Sequence, residues 1–193
     1  MIRLASAGDL PEILAIYAPY VRNTTYSFEY EVPSEDAFAA RFAQITAQFP
    51  WLVWQEGEKI WGYAYASRPF ERAGYAWCSE VSIYLKPEAQ GKGIGRKLYQ
   101  ALEALLEIQG YRMIYAIITG ENKASLAFHE KLGYRTIADF QHCGYKFGRS
   151  LNVIWMEKPL NSVGIPSNEP TPFLSIVENH GNLTDILDKI TLS

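Results

Sequence analysis

The chain has 193 residues, 48% hydrophobic and 20% charged, which suits one domain with a sizeable buried core, and its net charge of −3 is the opposite of a nucleic-acid binder's basic footprint. No apolar run approaches the roughly 20 residues of a membrane helix, and the opening Met1-Ile2-Arg3-Leu4-Ala5 lacks the apolar core of a signal peptide. With two cysteines, three histidines and no CxxC or HExxH spacing, the chain is expected to be cytoplasmic and metal-independent, with neither nucleic acid nor membrane as partner.

Residues 2–5 read as a short strand. Asp9 at an N-cap and Glu12 three residues on form a capping-box pair, and Ile13, Ile16, Tyr17 and Tyr20 at helical spacing predict a first helix to about Arg22. The stretch from Asn23 to Tyr30 has no clear period and reads as an extended loop. Ser34 caps a second helix with Phe38, Phe42, Ile45 and Phe49 on its face, and Pro50 ends it. Residues 51–55 and 60–67 are strand-like runs around a Glu56-Gly57-Glu58-Lys59 hairpin, and a longer strand is expected over 75–85. A glycine-rich turn then leads into a helix with Ile94, Leu98, Leu102, Leu105 and Ile108 on one face, stopped by Gly110. An apolar strand at 113–119 and a helix at 122–132 follow. Two strands, 134–141 and 151–158, close the pattern, with the Gly144/Gly148 stretch carrying the turn between them. The order β-α-α-β-β-β-α-β-α-β-β implies an α/β fold, a central mixed sheet flanked by helices, over residues 1–160. Residues 161–193 carry three prolines and read as a tail in which Leu183, Ile186, Leu187 and Ile190 give one short amphipathic helix.

The chemically informative segment is the strand, glycine turn and helix around Gly91-Lys92-Gly93-Ile94-Gly95-Arg96. Glycines at alternate positions let the backbone approach a ligand and turn several N–H groups inward. The helix that begins there adds free N–H groups and the positive end of its dipole, so the segment suits a pyrophosphate. On its own the pattern is weak, because many such glycines serve only tight turns. A Walker loop is excluded, since Gly93 follows Lys92 where a Ser or Thr is required. A dinucleotide-binding fingerprint is excluded too, since Arg96 stands at the third glycine position and three strands precede the one that leads into the turn.

Gln90-Gly91-Lys92-Gly93-Ile94-Gly95 after an apolar strand resembles the acetyl-CoA pyrophosphate loop of the GNAT N-acetyltransferases. Asn122-Lys123-Ala124-Ser125 and His129-Glu130-Lys131-Leu132-Gly133-Tyr134 resemble that family's second cofactor motif at the expected distance. More narrowly, Ser79-Glu80-Val81-Ser82-Ile83-Tyr84, Arg68-Pro69-Phe70, Asn23-Thr24-Thr25 and the run from Gly144 to Arg149 are similar to the phosphinothricin and methionine-sulfoximine acetyltransferase subgroup. The likeness covers about residues 1–160.

The resemblance implies a GNAT fold in which two parallel strands splay and the pantetheine arm of acetyl-CoA pairs with backbone at Ile83, Tyr84 and Leu85. It implies pyrophosphate binding by Gly91, Lys92, Gly93, Ile94, Gly95 and Arg96, with Asn122 on the cofactor arm and Lys131 at a phosphate. Glu80 becomes the catalytic base, in an apolar neighbourhood that would raise its pKa; the competing reading is a structural carboxylate paired with an arginine. His129 stands where many members of the family carry a Tyr that protonates the departing thiolate, and is either that acid or a packed helix histidine. Asn122 also suits a helix cap. For the acceptor, Arg68 offers a planar fork for a carboxylate or phosphinate, Pro69 fixes the backbone and Phe70 gives an apolar wall, with Phe28 a further candidate lining residue. The function so implied is acetylation of the α-amine of a small amino-acid-like acceptor by a homodimeric enzyme. The alternatives are another amine, on a protein N-terminus or a polyamine, and a non-catalytic acyl-CoA sensor.

Overall fold

The computed structural model describes residues 1–160, 164–179 and 187. Among the described residues seven strands and four helices follow in the expected order, with a fifth helix after them: β1 (Ile2–Leu4), α1 (Leu10–Asn23), α2 (Glu35–Thr46), β2 (Trp51–Glu56), β3 (Lys59–Ser67), β4 (Cys78–Leu85), α3 (Ile94–Gln109), β5 (Met113–Thr119), α4 (Lys123–Lys131), β6 (Arg135–Lys146), β7 (Arg149–Pro159) and α5 (Phe173–Asn179). They build one mixed sheet in the spatial order β1-β2-β3-β4-β5-β7-β6, antiparallel throughout except where β4 meets β5.

Local chemistry sets most boundaries. The Ser34 hydroxyl accepts from the Ala37 N–H at the start of α2, and the Asn122 side chain accepts from the Ser125 N–H at the start of α4. Gly110, with φ of 97°, closes α3 in the left-handed conformation that costs glycine least. The first capping box lies one turn earlier than expected. Asp9 accepts from the Ser6 N–H and pairs with Arg3, while Glu12 instead receives the Ile60 N–H and the Lys86 ammonium. A short 3₁₀ turn over residues 73–75 delays β4 to Cys78.

The β6–β7 hairpin also differs from expectation. Its turn is the two-residue Phe147-Gly148, both at positive φ (53° and 69°), a pattern suited to the twist of the flanking strands. Gly144 lies inside β6, where a Cβ would come within 2.5 Å of the Phe28 ring.

Two apolar layers hold the sheet. On one face Ile94, Leu98, Leu102 and Leu105 of α3 pack over Leu52, Ala64, Val81, Ile114 and Ala116. Ile108, expected on that stripe, is 40% exposed, because the helix turns Gln109 inward instead. On the other face Ile13, Ile16, Tyr17, Phe38 and Phe42 of α1 and α2 cover Trp51, Val53 and Tyr63.

The core does not end at Leu160. Phe173 and Ile176 of α5, together with Leu187, are buried in the same cluster as α3. Gln109 donates to the carbonyls of Gln48 and Thr171, and the Phe173 N–H donates to Gln48 O. This helix was not expected, because residues 173–179 give only two inward positions. Of the stripe that was expected, Leu183, Ile186 and Ile190 lie outside the described residues.

Candidate active site

The one parallel contact in the sheet is short. β4 and β5 pair only at Cys78↔Met113, Ser79↔Ile114 and Glu80↔Tyr115, and beyond Glu80 the strands diverge. β4 stays paired to β3 through Leu85, and β5 to β7 through Thr119. The facing edges of residues 81–84 and 116–119 therefore border a cleft, which Tyr20, Tyr99, Asn122, Ser125 and His129 also line. Unpaired strand edges of this kind offer backbone donors and acceptors to an extended ligand arm.

The glycine turn lies between the end of β4 and the start of α3. Gly91 and Gly93 hold φ of 74° and 79°, and a Cβ at either would meet nothing within 4 Å. Space and backbone are thus both open to a ligand at the N-terminus of α3, whose first N–H groups are free for an anion. Gly95 plays a different part. A Cβ there would press on Ile83, Leu85 and Phe128 at 3.3–3.4 Å, so it sets the close approach of α3, β4 and α4. The cradle and the splayed edges fit the pyrophosphate and arm of acetyl-CoA.

A second cleft adjoins the first on the face covered by α1. Residues 25–28 form one side, with Tyr65, Glu80, Ser82 and Tyr84 from β3 and β4, and Ile117, Thr119 and Val153 from β5 and β7. Among the described residues Glu80 is the only carboxylate lining it. Burial raises its pKa from 4.5 to about 7, and no hydrogen-bond or ion-pair partner for its side chain is present among the described residues. The paired-arginine reading of Glu80 thus finds no arginine.

The acetyltransferase (GNAT) domain family matches residues 2–155. The chain belongs to the GNAT acetyltransferase family. It is 37% identical over 163 residues to the phosphinothricin N-acetyltransferase of Alcaligenes faecalis, covering 83% of each chain. It is 36% identical over 165 residues to the L-methionine sulfoximine/L-methionine sulfone acetyltransferase of Pseudomonas aeruginosa, covering 83% of this chain and 94% of that one. A crystal structure of a GNAT superfamily phosphinothricin acetyltransferase from Sinorhizobium meliloti in complex with AcCoA aligns with a TM-score of 0.82 and 38% identity, over 89% of this chain and 92% of that chain. The protein is accordingly an acetyl-CoA-dependent acetyltransferase with the GNAT fold.

Within this GNAT site, the structure brings Glu80, Phe28 and Tyr84 together around the second cleft, and Ile83, Tyr84, Asn122 and His129 around the first. Lys92 lies with its ammonium 5.4 Å from the Trp61 ring. Arg96 and Lys131 are exposed on α3 and α4. The Leu85 carbonyl is already taken by the Tyr20 hydroxyl at 2.6 Å. Arg68, one residue beyond Ser67 (the cross-strand neighbour of Glu80), is exposed and is not among the residues lining either cleft. Phe70 stacks in a separate aromatic group with Tyr75, Tyr115 and Trp155, at 4.8–5.9 Å, and Pro69 is half-buried beside it.

His129 is 2% exposed and engaged at both nitrogens. Nδ1 donates to Ser125 O at 2.8 Å, so Nε2 accepts from the Tyr99 hydroxyl at 3.1 Å. Burial lowers its pKa to about 4, so the ring is neutral at physiological pH.

Several contributors carry no sequence signal. Tyr99 falls within an apolar helix stripe and reads as core, and Thr119 merely ends an apolar strand. Lys146, 3% exposed, donates to the carbonyls of Val21 and Ser27 and so ties the 24–33 loop to α1. Only the fold brings that lysine to that loop.

Proposed function

We propose that the enzyme transfers acetyl from acetyl-CoA to the α-amine of a small amino-acid-like acceptor of the phosphinothricin, methionine sulfoximine or methionine sulfone type. The observation that carries this reading is Glu80: a half-buried carboxylate with no partner among the described residues and a pKa raised to about 7, in a cleft that opens onto the splayed strands. A base poised near neutrality can take a proton from an ammonium as the amine attacks. The acceptor class is supported by the relatives, whose names specify phosphinothricin and methionine sulfoximine or sulfone.

In this reading acetyl-CoA supplies the activated acetyl group, and the chain's residues supply position and protons. Gly91, Gly93 and the N–H groups of residues 94–96 hold the pyrophosphate, with Lys92, Arg96 and Lys131 as the nearby cations. Backbone of residues 83–85 pairs with the arm, and an N–H there polarises the thioester carbonyl. Glu80 takes the amine proton. The Tyr99 hydroxyl, which lines the cleft, is the candidate proton source for the departing sulfur once its hydrogen turns away from His129 Nε2. His129 thus acts through Tyr99 rather than as an imidazolium, since burial keeps it uncharged. Phe28 and Val153 wall the acceptor, and Arg68, adjacent to Glu80's strand partner, is the candidate for its carboxylate.

We also propose that the enzyme is a cytoplasmic homodimer. Tyr75 and Phe140 are each 47% exposed against the Phe70 and Trp155 rings, an apolar face suited to a second copy. Light scattering of the purified chain at micromolar concentration tests the dimer, and a monomer mass overturns it.

The activity is tested by thiol release from acetyl-CoA with methionine sulfone, methionine sulfoximine, phosphinothricin, spermidine and a short peptide amine. The amino-acid analogues are expected to react and the other two to fail. Preference for spermidine or the peptide would move the enzyme to another acceptor class. Acetyl-CoA binding without turnover on any amine would make it a sensor.

A further inference from the structure

The two clefts meet on a few shared residues: Tyr26, Ser82, Tyr84, Ile117 and Thr119. Thr119 is unusual among them. It is 5% exposed, and its hydroxyl is buried with no hydrogen-bond partner among the described residues. Elsewhere in the second cleft the Thr25 hydroxyl donates to Glu121 and the Ser27 hydroxyl is shared with Tyr17. A buried hydroxyl without a partner weakens the fold, and valine of the same shape would avoid that cost. A ligand bound in the clefts that Thr119 lines would supply that partner.

Its place in the sheet indicates which part of the ligand. Strand alternation and the pairing Thr119↔Val153 put its side chain on the same face as Tyr115 and Ile117, which is the Glu80 face. Along β5 it stands four residues beyond Tyr115, the neighbour of Glu80, or roughly 13 Å of strand. A ligand atom that meets Thr119 is thus remote from the amine deprotonated at Glu80. It belongs to the far end of the acceptor. Phe28, Ile117 and Val153 on the cleft walls are apolar, and the Thr25 and Ser27 hydroxyls are already engaged with Glu121 and Tyr17.

We propose that the Thr119 hydroxyl donates a hydrogen bond to an oxo oxygen on the acceptor's side chain, of the sulfonyl, sulfoximine or phosphinyl kind, and so sets the preference for oxidised over plain thioether side chains. This rests on the acceptor class proposed above.

The test compares methionine sulfone with methionine, which share amine, carboxylate and chain length. Thr119→Val should lower kcat/KM for methionine sulfone about fivefold to tenfold, the scale of one neutral hydrogen bond. It should leave methionine and the KM for acetyl-CoA within twofold, and Tm should not fall. Thr119→Ser should keep the sulfone preference, and Thr119→Ala serves as a second hydroxyl-free variant should valine misfold. An equal loss on both amines, a rise in acetyl-CoA KM instead, or an unchanged ratio in both hydroxyl-free variants overturns the assignment while leaving acetylation of amino acids standing. A wild-type enzyme that acetylates neither amine overturns the parent reading, and this one with it.

Discussion

The proposed cofactor side and the proposed acceptor side of the site are built in opposite ways. The cofactor side is nearly contiguous: residues 81–96 supply a strand edge, two glycines at positive φ and a helix N-terminus, and residues 122–129 supply the cap and helix opposite. The acceptor side draws on segments from Thr25 to Val153, and it holds together by long-range bonds. Lys146 reaches Val21 and Ser27, the Tyr30 hydroxyl reaches Tyr145 O, and Arg149 pairs with Glu121, which also takes the Thr25 hydroxyl. A backbone-built site tolerates side-chain change except at its glycines. A side-chain-built site can be retuned by single substitutions without touching cofactor binding.

Glu80 offers the largest break in that comparison. Glu80→Gln keeps shape but removes the proton acceptor, so kcat should fall by roughly 10² to 10⁴ with acetyl-CoA KM nearly fixed. The wild-type rate should climb as pH rises through about 7, where the carboxylate forms, and that limb should vanish in the variant. Stability should move the other way. A folded pKa raised from 4.5 to about 7 means that the native state holds the proton more tightly, so this group's favourable contribution is complete below 4.5 and is lost as pH rises through 7. The variant should therefore melt higher than wild type at pH 8 and equally at pH 4. An enzyme whose rate is indifferent to this substitution refutes the assignment.

Next in size is α5, which serves neither side directly. Phe173→Ala should cost about 3 kcal/mol, or roughly 6–12 °C in Tm, because the ring is 4% exposed within the α3 cluster. Ending the chain at Leu160 should cost at least as much. Both changes should leave the two KM values alone at temperatures where the protein stays folded. A shortened chain as stable as the full one would mean that the α5 packing contributes nothing.

Lys146→Met probes the acceptor side alone. It deletes charged hydrogen bonds to two carbonyls, worth roughly 1.5–3 kcal/mol each at most, and frees the loop that carries Phe28. Acceptor KM should rise several-fold while acetyl-CoA KM holds. Equal rises in both would show that the loop supports the cofactor cleft as well.

The same contrast explains what could be read in advance. The Ser34 cap, the Gly110 stop, the hairpin at Gly57 and the glycine cradle each depend on a few adjacent residues, so they were legible. The capping box at Ser6 was misplaced because Asp9 serves two partners and Glu12 answers to Ile60 and Lys86, which are distant in the chain. Gly144 reads as a turn residue until Phe28 is seen against it. Tyr99, Thr119 and Lys146 gain meaning only from neighbours far along the chain, and α5 is ordered by a core it cannot specify alone.

Gly93→Ala is the finest probe of the cofactor side. Gly93 sits at φ of 79°, where a side-chain-bearing residue costs about 1–2 kcal/mol, but a Cβ there meets nothing within 4 Å of the protein. The fold should therefore lose only that small strain. Any larger effect must come from what the methyl meets when the pyrophosphate is bound. Calorimetry should show acetyl-CoA affinity falling at least tenfold in a variant whose Tm drops by only a few degrees, and acceptor KM should not change. Gly91→Ala, at 74° with the same open surroundings, supplies the control. If both variants bind acetyl-CoA normally, the two glycines serve only to turn the chain, and the cofactor side is not built on them.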